Sequence, residues 1–361
     1  MDKTQIIHIA EDISLSSGGL RSMITALDQY LNNQVDLTSE ILTLKKESHD
    51  SYHQVVNSRT NPWNYSKNYK TSLINTISSD SCLHLHGVWM YPQYIASKIA
   101  QKKGLNTVIT THGMLEPFLL NDKGLKKNIY LKMLLKNIFK RTNILHAITA
   151  NERDNLHRLT GHKNIIEIPN LIDFSNEVTY QYEPNEEYML FLGRFHKVKG
   201  IDLLINAFNK IENKKIKLYL AGFENEYCKE ILNQVELNGL RDRVKYCGEV
   251  KGEEKNKLFA NAKAFIAPSY SEVIGMVNLE AATFGTPVIT TYNTGLSKEW
   301  NNNGGILINP IQEELIQALS IVSNMSLKER NDRGNLLRNF VFSNYSWQQK
   351  GHLWNELYSS L

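Results

Sequence analysis

Residues 189–211 run Met-Leu-Phe-Leu-Gly-Arg-Phe-His-Lys-Val-Lys-Gly-Ile-Asp-Leu-Leu-Ile-Asn-Ala-Phe-Asn-Lys-Ile. The apolar run Met189 to Leu192 has the length of a short strand, and Ile201 to Ile211 is an amphipathic helical stretch. Between them, Gly193, Arg194, Lys199 and Gly200 make a turn that holds two cations. Strand, cationic turn and helix start together form an anion site, because backbone N–H groups and the helix dipole add to Arg and Lys. A diphosphate fits such a site. A glycine-bounded turn with solvated charges has the same pattern, and these residues alone leave the two readings level.

The same alternation extends in both directions. Upstream, Ile6 to Ala10, Ile41 to Leu44, Cys82 to Leu85, Thr107 to Thr111, Leu145 to Thr149 and Ile165 to Ile168 read as strands. Helical stretches lie between several of them. Leu20, Ile24, Leu27 and Leu31 repeat at helical spacing behind Ser16 and Ser17, which are the expected helix caps. Downstream, Ile216 to Ala221, Val244 to Cys247, Ala264 to Ala267, Val288 to Thr291 and Ile306 to Ile308 continue the rhythm. Asn176 to Glu187 is polar, contains Pro184 and lacks apolar periodicity, so it reads as the linker. The expectation is α/β: two Rossmann-like, doubly wound parallel-sheet domains, 1–175 and 188–345, facing a cleft. The tail 346–361 carries Trp347, Leu353, Trp354 and Leu357 at near-helical spacing, and is expected to pack back towards the first domain.

Composition narrows the class. The chain has 361 residues and a net charge of +4, too weak a bias for a dedicated nucleic-acid binder. The opening MDKTQIIHIAEDISL has no sustained apolar core, so a cytoplasmic protein is expected, and no window of 18 apolar residues suggests a bilayer span. Cys82, Cys228 and Cys247 are too scattered for a disulfide framework or a structural zinc site.

A second constellation begins at Glu272, continues Val-Ile-Gly275-Met276-Val277-Asn-Leu-Glu280, and ends in Gly285-Thr-Pro287. Gly275 permits close backbone approach at a helix start, Gly285 can end that helix in the left-handed conformation, and Pro287 prevents its continuation. Glu272 then sits on the entry loop and Glu280 inside the helix. Carboxylates accept several hydroxyl hydrogen bonds, and a vicinal diol is their natural partner. Spacing alone first suggests two surface glutamates favoured by the helix dipole.

These two motifs, in this order and each behind a strand, resemble the hallmarks of the retaining family-four glycosyltransferases of GT-B fold, a GR(x4)KG loop and an E(x7)E motif. Ser17-Gly18-Gly19-Leu20-Arg21, Thr111-His112-Gly113, Ile168-Pro169-Asn170, Gly222 and Pro268-Ser269 extend the resemblance through most of the chain. The resemblance implies that Arg194 and Lys199 bind the diphosphate of a nucleotide sugar, with Gly193 in the same loop. It places Glu280 on the ribose hydroxyls and Glu272 on the transferred sugar, beside Gly275, Met276 and Val277. Gly18 and Gly19 would cover the phosphates and His112 would contact the donor sugar. The implied catalytic set is Glu272, His112, Arg194 and Lys199. Transfer then keeps anomeric configuration, needs no enzymic nucleophile, and relies on preorganised charge at the leaving group.

Departures from the pattern bear on the substrate. Glu272-Val273-Ile274-Gly275 replaces Glu-Gly-Phe-Gly, Leu171 stands where the family has glycine, and the later double-glycine loop is reduced to Thr294-Gly295-Leu296. The identity of the sugar therefore does not carry over. No Asp-x-Asp or HExxH is present, so no cofactor or metal is expected. No two glycines stand two positions apart and no GxxxxGK occurs, which sets aside dehydrogenases and P-loop enzymes.

Residues 123–141 carry Lys123, Lys126, Lys127, Lys132, Lys136, Lys140 and Arg141 among apolar residues, as in a basic amphipathic helix. An anionic membrane surface is an expected partner there, and an ordinary packed helix is the alternative. The acceptor is expected to be a lipid-linked or soluble saccharide in bacterial capsule, lipopolysaccharide or exopolysaccharide synthesis, with the enzyme peripheral on the cytoplasmic membrane face. A silent sugar-nucleotide-binding subunit and a GT-B-fold epimerase are the competing readings.

Overall fold

A computed structural model describes residues 3–55, 61–116, 134–174 and 182–361. The chain divides into two compact units, Met1–Asn170 with Gly351–Leu361, and Leu171–Lys350.

In the first unit the elements run β1 (Thr4–Asp12), α1 (Gly19–Asn32), β2 (Leu37–Lys45), β3 (His53–Gln54), α2 (Lys67–Thr76), β4 (Ser81–His86), α3 (Tyr91–Lys103), β5 (Asn106–Thr110), α4 (Lys136–Arg141), β6 (Ile144–Ala147), α5 (Ala150–Thr160) and β7 (Ile165–Glu167). The seven strands form one parallel sheet in the order β3-β2-β1-β4-β5-β6-β7. Strands buried on both faces need near-continuous apolar runs, and Ile7, Ile9, Leu83, Leu85, Ile109 and Leu145 supply them in the core. The two-residue β3 is too short to leave a pattern in the sequence.

The second unit runs β8 (Tyr188–Leu192), α6 (Ile201–Lys210), β9 (Lys217–Ala221), α7 (Glu226–Leu237), β10 (Val244–Gly248), α8 (Gly252–Ala260), β11 (Ala264–Ala267), α9 (Met276–Thr283), β12 (Val288–Thr291), β13 (Ile306–Ile308), α10 (Gln312–Ser323), α11 (Leu327–Tyr345) and α12 (Trp347–Lys350). Six parallel strands are ordered β10-β9-β8-β11-β12-β13. The apolar face of α6, Ile201, Leu204, Ile205 and Phe208, is fully buried against this sheet. Burial of each such side chain stabilises by about 1.5–3 kcal/mol. The last helix, α13 (His352–Ser359), belongs to the first unit, where it buries Trp354, Leu357 and Tyr358 and where Asn106 donates to the Leu361 carbonyl at 3.0 Å.

Several local expectations need correction. Ser16 and Ser17 do not cap α1. Ser14 anchors a 3-10 turn over Leu15–Ser17, its hydroxyl bonded to Asp12 at 2.6 Å, and this moves the cap position to Gly18, which has no side chain to offer. The strand expected over Leu145 to Thr149 stops at Ala147, because Thr149 turns out to cap α5 and accepts from the Glu152 N–H at 3.2 Å. The tail is broken at Gly351 into α12 and α13 rather than running as one helix. Of the expected basic helix, residues 123–133 lie outside the described residues. Its end is α4, which buries Ile138 and Phe139 and exposes Lys136 and Lys140. Part of the expected linker, 176–181, also lies outside them.

Candidate active site

The cationic loop of the second unit begins where β8 ends. Gly193 N–H donates to the Ala221 carbonyl at 3.0 Å, so the ends of β8 and β9 are held side by side. A Cβ at Gly222 would lie 2.0 Å from the Gly193 carbonyl oxygen, which explains glycine there. A 3-10 turn over Lys197–Lys199 leads to Gly200, whose φ of 65° is left-handed and whose Cβ, if present, would strike the Pro268 carbonyl at 2.3 Å. The loop after β11 therefore packs directly on the cationic turn, and the Tyr270 N–H donates to the Val198 carbonyl at 2.8 Å.

This close approach brings the two sequence motifs together. Lys199 Nζ lies 2.7 Å from Glu272 Oε2, and both side chains are largely buried, at 15% and 13% exposure. Ser269 donates its hydroxyl to Glu272 Oε1, and the Glu272 N–H donates to the Asn293 carbonyl at 2.9 Å. The carboxylate thus carries a charge partner and a neutral donor. Removing one member of so buried a pair would leave an uncompensated charge, a cost of about 3–5 kcal/mol. Arg194 is exposed and has no hydrogen-bond or ion-pair partner among the described residues.

Gly275 precedes α9 and supplies no cap side chain, so no cap side chain satisfies the first N–H groups of that helix, from Met276 and Val277. Its φ of −80° is ordinary, but a Cβ would sit 2.5 Å from Asn278 Nδ2, so any larger residue would force the buried Asn278 side chain to shift. Gly285, at φ 65°, ends the helix as expected. Glu280 pairs with Lys255 of α8, Nζ to Oε2 at 2.9 Å, with both side chains about one-third exposed. Sequence reasoning missed Lys255, which stands at no motif position, and counted Ser269 only as part of the Pro268-Ser269 feature without giving it a role.

In the first unit, Gly18 sits at the start of α1 with φ 58°, and a Cβ at Gly18 or Gly19 would meet nothing within 4 Å. His112 lies just past β5 in the left-handed region, φ 50°, uncommon for a residue with a side chain. One buried carboxylate holds this loop. Glu152, at the third position of α5, accepts from Thr111 Oγ1 at 2.5 Å, from the Gly113 N–H at 2.7 Å and from the Ile148 N–H at 2.8 Å. Burial pushes the His112 imidazole down to about 3, with His146 adding to the shift, so the ring is neutral. Its Nε2 lies 3.0 Å from His86 Nδ1. Glu152 left no signal in the sequence beyond the acidic first turn of a helix.

Two parallel-sheet Rossmann-like units, with a glycine-bounded cationic loop and an acidic loop-helix packed together in the second, define the GT-B class of fold. The glycosyl transferases group 1 model matches residues 177–338 and the Glycosyltransferase Family 4 model residues 47–176. The chain belongs to the family-four glycosyltransferases of GT-B type. It is 26% identical over 290 residues to the phosphatidylinositol N-acetylglucosaminyltransferase gpi3 subunit of Schizosaccharomyces pombe, covering 77% of this chain and 61% of that protein. It is 26% identical over 215 residues to the O-antigen chain mannosyltransferase RfbU of Salmonella typhimurium, covering 59% of each. In both cases the match spans less than two thirds of the relative's length. Among solved structures, Anabaena Alr3699/HepE in complex with UDP and glucose superposes with a TM-score of 0.79 at 15% identity, over 99% of this chain and all of that one, a likeness of fold.

Proposed function

We propose that this glycosyltransferase moves a hexosyl group, with retention of configuration, from a nucleoside-diphosphate sugar to a lipid-linked saccharide during assembly of a bacterial surface polysaccharide. The observation that carries the reading is the contact of the two motifs, Lys199 against Glu272, in the loop that also holds Arg194, which has no partner among the described residues, and at the uncapped start of α9. Arg194 and Lys199 neutralise the departing diphosphate, helped by the backbone N–H groups of Met276 and Val277. Glu272 orients the transferred sugar and Glu280 takes the ribose diol. In the first unit, the proposal assigns ligand contacts to Gly18, Gly19 and His112.

The bond from the anomeric carbon to the phosphate oxygen breaks as the acceptor oxygen bonds that carbon on the same face, and a donor phosphate oxygen takes the acceptor proton. Fixed cations do the work that a metal does in other transferases, so turnover is proposed to be metal-independent. The named activities of the two relatives, one on phosphatidylinositol and one on an O-antigen chain, support a lipid-linked acceptor in polysaccharide assembly. Among the described residues no helix is long and apolar enough to cross a membrane, and a peripheral position on the cytoplasmic face is proposed.

The test is a screen of nucleotide sugars, after chelator treatment, for release of free nucleoside diphosphate with and without membrane lipid extract. Release from one donor, increased by lipid, supports the reading. Binding of a donor with no release under any acceptor condition would overturn it in favour of a silent sugar-nucleotide-binding subunit.

A further inference from the structure

Beyond His112, the first unit holds four fully buried histidines that have no part in the proposed chemistry: His8 on β1, His84 and His86 on β4, and His146 on β6. Registered pairs His8 with His84, His86 with Thr110, and Thr110 with His146 put them on one face of the sheet. Trp354 and Tyr358 of α13 pack over that face, with ring centroids 4.6 Å from His146 to Trp354 and 6.1 Å from His84 to Tyr358. Loss of water holds every imidazole in its neutral form: His8 is pushed down to about 3, His146 to about 4, and His84 and His86 well below the ordinary value. A neutral imidazole has one N–H and one lone pair, so a chain of such rings has a direction.

One chain has a single solution. His146 Nε2 faces the Ile168 carbonyl at 2.9 Å, which only accepts, so Nε2 carries the proton and Nδ1 accepts from Thr110 Oγ1 at 2.8 Å. The Thr110 hydroxyl proton is then spent. Its oxygen accepts from His84 Nε2 at 2.7 Å, and His84 Nδ1 accepts from the Tyr358 hydroxyl at 2.7 Å. His8, His84 and His86 stand within 4.8 Å of one another, but with both nitrogens of His84 engaged the trio is not a cation site.

The second chain runs from His8 Nδ1 to His86 Nε2 at 2.9 Å, and from His86 Nδ1 to His112 Nε2 at 3.0 Å. Two directions satisfy its two bonds, and both leave His8 Nε2, which is buried and has no partner among the described residues, as the orphan. If His112 donates inward, the orphan is an N–H; if His8 donates outward, it is a bare lone pair. Among buried backbone groups an orphaned N–H is rarer than an under-satisfied acceptor, and we apply the same preference to the imidazole. The proton order therefore runs outward, from His8 through His86 to His112.

We propose that His86, backed by His8, is a positioning residue that fixes His112 with a bare Nε2 and a protonated Nδ1, presenting a neutral N–H donor to a hydroxyl or phosphate oxygen of the ligand. His112 Nδ1 makes no hydrogen bond with the described residues, and the residue is partly exposed. The Glu152 clamp on Thr111 and Gly113 fixes the backbone that carries it, and Gln93 fixes the other end by donating to the His86 carbonyl at 2.7 Å. The functional consequence rests on the transferase reading above, whereas the proton order itself does not.

Long-range 1H–15N correlation spectra of the full chain labelled in histidine separate protonated from bare ring nitrogens, with His112→Gln identifying the His112 signals. At pH 7 a protonated Nδ1 and bare Nε2 at His112 are expected; a proton on Nε2 overturns the proposal, even if no transferase activity is ever measured. In turnover, His86→Gln keeps an N–H for His112 Nε2 and holds kcat within about threefold. His86→Leu lowers kcat about 100-fold, the scale of one lost preorganised donor, with KM changed less than about twofold. An unchanged His112 tautomer in a folded His86→Leu variant, or equal loss in Gln and Leu variants, would overturn it.

Discussion

The two units share an architecture and treat polar groups in opposite ways. In the first, the sheet face that ends at His112 is built of neutral imidazoles whose hydrogen bonds run from ring to ring or through the Thr110 hydroxyl. In the second, full charges sit on the loops and helix starts past the strands: Lys199 against Glu272, Lys255 of α8 against Glu280 of α9, and Arg194 exposed. Depth separates them. A side chain on the face of a parallel sheet loses all its water, so only a group that can shed its charge is tolerated there. A loop past the strand ends keeps enough solvent, or a close enough partner, to stay ionised.

The largest consequence is in acid. A buried imidazole with a folded pKa below its unfolded value binds fewer protons folded than unfolded, so stability is full above about pH 6.5 and falls as pH drops towards the folded value. Each pH unit in that window costs about 1.4 kcal/mol per imidazole. His8 and His146, fully buried and at about 3 and 4, together cost about 3 kcal/mol per unit between pH 6 and 4. That rivals the whole stability of a domain within two units. The second unit's one histidine, His196, is exposed. Amide hydrogen exchange followed from pH 7 to 4.5 is expected to open the strands of the first unit while β8, β9 and β11 stay protected. Simultaneous loss in both units would break the contrast.

Within the charged region, Glu272→Ala is expected to lower kcat about 1000-fold, about 4 kcal/mol, with nucleoside diphosphate affinity nearly unchanged. Arg194→Ala should weaken both turnover and nucleotide affinity, since its guanidinium is assigned to the diphosphate. Calorimetric titration with nucleoside diphosphate beside steady-state kinetics checks the pair of roles. Equal loss of nucleotide affinity in the two variants would contradict them. Glu152→Ala tests the neutral region by a smaller amount. It strands the Gly113 and Ile148 N–H groups in a buried site, and a loss of about 3 kcal/mol in denaturant unfolding is expected. A loss under about 1 kcal/mol would mean that the left-handed His112 turn holds itself.

How legible each region was in the sequence follows the same division. The charged motifs announce themselves because their residues stand at fixed offsets around a strand end and a helix start: Gly193, Arg194, Lys199, Gly200, and then Glu272 and Glu280. Strand runs such as Met189 to Leu192 and Ala264 to Ala267 were equally plain, being apolar on both faces. The imidazole face was not, because His8, His84, His86 and His146 come from three strands far apart in the chain and are joined only by register. Read singly, each is an unremarkable histidine in an apolar run. Lys255 and Glu152 escaped for a related reason, since each reaches its partner across the fold from a helix with an ordinary charged surface.

The smallest effect bears on whether charge pairing in the second unit is competition or support. Lys255 Nζ occupies Glu280 Oε2 at 2.9 Å, and a carboxylate has about four lone-pair sites, so one lysine leaves room for a diol. If the lysine only orients the carboxylate, Lys255→Met changes folding stability by less than about 1 kcal/mol, as for other partly exposed pairs. By the same scale, nucleoside diphosphate affinity should fall no more than about fivefold. Calorimetry on the variant reads both quantities. A tenfold gain in affinity would show instead that the pair must open to admit the ribose. Glu280 would then be held shut by its own neighbour.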